Sequence, residues 1–82
     1  MDYFELNFND FDTNRLERLI NLYLRENFNY LEGITIDENV GEDHQFGVHL
    51  VRPIEVASRY IFEERLQDYL LESIRNQGTG LL

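Results

Sequence analysis

The stretch PIEVASRYIFEERLQDYLLESIRNQ, residues 53–77, decides how the rest of the chain is arranged. Pro53 suits the opening of a helix, because its fixed φ fits the first turn and its missing N–H needs no partner there. Gly78 suits the close as a left-handed residue, and Arg75 in the last turn complements the negative end of the dipole. Most residues between them are good helix formers. The apolar stripe, however, moves. At about 100° per residue, Phe62, Leu66, Tyr69 and Leu70 share one side, widened by Leu71 and Ile74, while Ile54, Ala57 and Ile61 fall on the other. A straight amphipathic helix keeps one stripe. Either Ser58 caps a helix that starts near Arg59, or one helix from Pro53 touches two apolar neighbours, the second of them another subunit. Helix over 60–76 follows on both readings.

Working outward, Phe46, Val48 and Leu50 alternate against Gln45, Gly47 and His49, the period of a half-buried strand. Ile34 and Ile36 flank Thr35 in a second strand over 31–38, weakened at Glu32 and Gly33. The acidic segment DENVGEDH, residues 37–44, turns between them, with Asn39 or Gly41 able to take positive φ. So short a connection predicts an antiparallel hairpin. Before it, Leu16, Leu19, Ile20, Tyr23 and Leu24 form the buried side of a helix reaching about Asn27. Its wet side carries Glu17, Arg18, Asn21 and Arg25, with Leu22 at the edge towards the second helix. Asn14 with Glu17 has the spacing of a reciprocal cap, and Asp12 is an equal alternative. At the N-terminus Phe4, Leu6 and Phe8 alternate against Tyr3, Glu5 and Asn7 in a further strand.

The order is β-α-β-β-α. A helical crossover between two strands of one sheet usually leaves them parallel and right-handed. The expectation is an α+β two-layer sandwich: a three-stranded mixed sheet with two helices packed on one face. Residues 1–78 form one domain and 79–82 a frayed tail. The opposite sheet face carries Tyr3, Glu5, Asn7, Thr35, Asp37, Gln45, His49 and Val51, polar enough to meet water.

Of the 82 residues, 43% are apolar, with six Phe and five Tyr, enough for a real core in a domain of modest margin. The chain has no cysteine, which excludes disulfides and thiolate metal sites. MDYFELNF lacks a basic region and an apolar run, and no window approaches a membrane span, so the cytoplasm is expected. Sixteen acids against seven Arg, with no Lys, give a net charge of −9. Such a surface repels nucleic acid and anionic lipid and attracts basic proteins.

Catalytic signatures do not emerge. Asp37, Glu38, Glu42, Asp43 and His44 crowd one turn, but Asp37-x-Asn39-x-Gly41 does not continue into the twelve-residue calcium pattern. His44 and His49 lack an obvious third ligand. Ser58, Ser73, Thr13, Thr35 and Thr79 sit in no nucleophile motif, and no glycine-rich phosphate loop occurs. No enzyme activity, cofactor or metal is expected. The most informative row is Glu64, Asp68 and Glu72, which line one helical ridge at i, i+4 and i+8. Their carboxylates lie about 6 Å apart along the axis, comparable with successive phosphates. Like charges at this spacing oppose the helix by roughly 0.2–0.5 kcal/mol per pair. Among the aromatics, Tyr3, Tyr30 and Tyr60 are expected at the surface, where Tyr favours contacts.

In layout and charge the chain resembles small SOS-response modulators of recombinase filaments and some phage-encoded inhibitors of host defence, with no motif matching residue by residue. The expected role is a non-catalytic inhibitor or modulator that docks its carboxylates onto a basic site of a nucleic-acid-handling protein. Glu64, Asp68, Glu72, Asp37, Glu38, Glu42 and Asp43 would form the contact surface. The alternative is a homo-oligomeric structural or adaptor protein assembled through the C-terminal helix, with Ile54, Tyr60, Ile61, Leu71 and Ile74 at the interface of a homodimer.

Overall fold

A computed structural model describes residues 1–8, 12–38 and 45–79. Five elements follow in chain order: β1 (Tyr3–Asn7), α1 (Thr13–Phe28), β2 (Ile34–Glu38), β3 (Gln45–Leu50) and α2 (Arg59–Thr79). They form an α+β fold of one sheet and two helices. The strand order is β1-β3-β2. Phe4 stands opposite Val48 on one side of β3, and Ile36 stands opposite Val48 on the other. Both pairings are antiparallel. β1 and β2 therefore run in the same direction, as the crossover implies, but β3 lies between them. In this respect the expected mixed sheet is corrected, because the hairpin partner of β2 fills the middle position and, among the described residues, no parallel pair forms.

The core joins both layers. Phe4, Leu6, Phe46, Val48, Leu50 and Ile34 from the strands meet Leu16, Ile20 and Leu24 of α1 and Phe62, Leu66 and Leu70 of α2. α1 packs along β2 and α2 along β1, and the Phe4 and Phe62 rings meet edge to face at 5.3 Å. Burying a Leu or Phe side chain stabilises by about 1.5–3 kcal/mol, so these residues dominate the fold's stability.

The caps answer what the pattern left open. Asp12 is the N-cap of α1, its carboxylate accepting from the Asn14 N–H. At the other end Asn29 takes the left-handed conformation, φ 52° and ψ 37°. Its N–H donates to the Arg25 carbonyl oxygen, and the Tyr30 N–H to that of Leu24. This turn satisfies the last carbonyls and swings the next side chain inward. Tyr30, expected at the surface, is consequently 2% exposed. Gly33, at φ +93°, then supplies a backbone conformation that side-chain-bearing residues rarely adopt. β2 begins only after it, at Ile34 rather than near residue 31.

Ser58, not Pro53, opens α2. The Ser58 hydroxyl accepts from the Ile61 N–H at 3.2 Å, and its carbonyl from the Phe62 N–H at 3.1 Å. Residues 53–57 are non-helical, which explains the displaced stripe. Ile54 enters the core from an irregular segment clipped to the N-terminus: its N–H donates to the Met1 carbonyl at 2.8 Å, and the Met1 ammonium donates to its carbonyl at 3.1 Å. The helix runs on to Thr79, so Gly78 lies within it instead of closing it, and Thr79 belongs to the helix instead of the tail. Residues 80–82 of the expected tail lie outside the described residues.

Candidate interaction surface

On α2, Phe62, Leu66 and Leu70 are buried against the sheet. With 3.6 residues per turn, Glu64, Asp68 and Leu71 come round to the opposite side. Tyr60, Glu63, Glu64, Gln67, Asp68 and Leu71 line a shallow groove there. Glu64 and Asp68 are exposed, and neither forms an ion pair among the described residues. Their neighbours are compensated. Glu63 receives Arg59 at 3.1 Å, and Glu72 receives Arg75 at 3.1 Å. The expected three-carboxylate ridge thus has an uncompensated centre at Glu64 and Asp68 and a paired end at Glu72. Arg59 also donates to the Tyr3 carbonyl oxygen at 2.7 Å, which ties the start of α2 to β1.

The acids of the turn lie elsewhere. Asp37 projects from the sheet face opposite the helices, the side it shares with Thr35 by strand alternation. There its carboxylate meets His49 Nε2 at 2.8 Å. The side chain of Glu38 is not described, and Glu42 and Asp43 lie outside the described residues. The ridge and Asp37 therefore face opposite sides of the molecule, and no flat partner spans both. Strand periodicity and helix periodicity each locate a residue on its own element; their relative placement depends on which sheet face the helices cover.

The open sheet face carries a further cluster. The Tyr3 hydroxyl donates to Glu5 Oε2 at 3.0 Å, and the Tyr3 and His49 rings lie 4.7 Å apart. Desolvation against the sheet and then the Glu5 carboxylate raise the Tyr3 pKa. The His49 and Asp37 side chains are 48% and 57% exposed, so water screens their attraction. Their neighbourhood was legible as a polar strand face, but the cross-strand contacts depend on register. Among the described residues, no group of three or more His, Asp or Glu is placed to hold a metal ion.

Of the residues considered for self-association, Tyr60 is 74% exposed, and Ile61 and Leu71 are each 44% exposed. Ile74 is partly buried against the core, and Ile54 belongs to the core at 4% exposure. Ile54 is thereby withdrawn from any surface. Leu22, placed by the sequence at the edge towards α2, is exposed. Among the described residues, no helix is long and apolar enough to cross a membrane. Comparison with protein-family models, with curated proteins and with solved structures finds no match.

Proposed function

We propose that this chain is a non-catalytic binding protein that docks the outer ridge of α2 onto a basic site of a nucleic-acid-handling protein. It would act in the cytoplasm as an inhibitor or modulator of that protein, in the setting of phage anti-defence or recombinase control. The observation that carries this reading is the exposed, uncompensated pair Glu64 and Asp68 on a chain of net charge −9. A rigid helix holds these carboxylates outward, so little ordering opposes their engagement by a cationic groove. Tyr60 and Leu71 flank them and supply apolar contact area. Asp37, on the far side, contributes only to long-range attraction.

Capture of basic host proteins on immobilised protein, at low and high salt, tests this. Captured proteins should be nucleic-acid binders, released by added DNA and by salt. Charge reversal at Glu64→Arg, Asp68→Arg and Glu72→Arg together should abolish capture. Unchanged capture by that variant would sink the reading.

A further inference from the structure

α1 carries a surface complementary to the ridge. Its core-facing residues are Leu16, Ile20 and Leu24, so Arg18, Leu22 and Arg25 turn away from the sheet as Glu64, Asp68 and Leu71 do on α2. Asn14, Glu17, Arg18, Asn21, Leu22 and Arg25 line a groove on α1. The groove on α2 is lined at the same helical spacing, from Tyr60 to Leu71. One presents two guanidinium groups about a turn either side of an exposed leucine; the other presents two carboxylates between an exposed tyrosine and an exposed leucine. Neither Arg18 nor Arg25 forms an ion pair among the described residues. The helices are antiparallel, because Tyr23 meets Tyr69 at 5.0 Å while Phe28, further along α1, meets Phe62, earlier on α2, at 5.4 Å.

We propose that a second copy of this chain stacks its helix layer on the first, each α1 lying along the α2 of the other copy. A twofold rotation about an axis parallel to the helices produces this arrangement. It exchanges left for right but preserves direction, so α1 meets the other copy's α2 antiparallel and the same contact forms twice. The rotation adds no shift along the helices, so the levels of Tyr23 with Tyr69 and Phe28 with Phe62 set the register: Arg25 faces Glu64 and Asp68, Arg18 lies further along beside Glu72, and Leu22 and Leu71 are covered. A chain of net charge −9 repels itself at most approaches, and this is a face where opposite charges meet; such complementarity fixes register and partner. The inference rests on the same ridge as the proposed function and adds its regulation: the dimer hides the ridge, and a basic partner engages the monomer.

Sedimentation velocity over a concentration series, with no other protein present, tests the dimer. Wild type should pass from monomer to dimer as concentration rises. R18E/R25E places acids against acids, and E64R/D68R places Arg against Arg, so each alone should stay monomeric. Mixed in equal amounts they should form a heterodimer, since both contacts then pair opposite charges. That recovery also shows that neither variant failed to fold. Wild type remaining monomeric throughout would overturn the proposal. So would an R18E/R25E variant that still dimerises, which would point to α2 packing on α2, or two folded variants that do not associate when mixed. R18E/R25E keeps the ridge intact, so failure of this monomeric variant to capture basic proteins would sink the functional reading and leave the dimer standing.

Discussion

The Tyr30 hydroxyl accepts a 2.9 Å hydrogen bond from the Arg52 N–H, while the Arg52 guanidinium lies over the same ring at 4.9 Å from its centre. One residue thereby pins both the face and the tip of a buried tyrosine. The contact fastens the turn after α1 to the segment leaving β3. Tyr30→Phe keeps the ring but leaves the Arg52 N–H without this acceptor, and should lower stability by about 1 kcal/mol. Tyr30→Ala also removes the ring and should cost about 3–5 kcal/mol. Urea denaturation followed by circular dichroism measures both.

Glu32 accepts from Arg52 Nε at 2.7 Å on the other side of this arrangement. That hydrogen bond holds the Glu32 carboxyl below its ordinary range. A carboxyl that titrates lower in the folded than in the unfolded chain contributes stability above its unfolded value and loses it as pH falls through its folded value. Stability should therefore decline on acidification below the ordinary glutamate range. Glu32→Gln should flatten that part of the profile, and a series of urea midpoints against pH tests it.

Ser58 sets the start of α2, so Ser58→Ala should destabilise the protein by about 1 kcal/mol, the usual loss of an N-cap. Pro53 lies outside the helix. Ala57→Pro should change helix content little, whereas a helix opened at Pro53 would be interrupted at its fifth residue, where proline removes an intrahelical N–H. Far-ultraviolet circular dichroism of both variants distinguishes the two starts.

The ridge works against the fold. Glu64→Gln removes one i, i+4 repulsion with Asp68 and should stabilise by roughly 0.2–0.5 kcal/mol. The same change should weaken capture of a basic partner. A variant that gains stability while losing binding would show that the carboxylates are kept for contact; equal or tighter binding would contradict it.

Within α2, Leu66 and Leu71 separate core from surface. Leu66 is completely buried and Leu71 is 44% exposed. Leu66→Ala should cost about 2–5 kcal/mol. Leu71→Ala, measured at concentrations where the chain is monomeric, should stay within about 0.5 kcal/mol.

Much of this was written in local periodicity. Alternation over residues 2–8 and 45–50 and the 3.6-residue repeat in α1 assign each residue a face on its own element, because side-chain direction follows directly from backbone geometry. The ridge at Glu64 and Asp68 was legible for the same reason. Longer-range placement was not. β3 occupies the centre because the pairing of Tyr3 with His49 joins strands 46 residues apart in the chain, and no local pattern specifies that pairing. Tyr30 and Ile54 sit in irregular segments without a period, so only the left-handed turn at Asn29 and the clip from Met1 bring them inside. Whether Asp12 or Asn14 caps α1, and whether α2 starts at Pro53 or after Ser58, turned on which path lets the neighbouring apolar side chains reach one shared core. Opposite placement of Asp37 and the ridge follows from that core as well, since covering one sheet face with both helices commits the other to solvent.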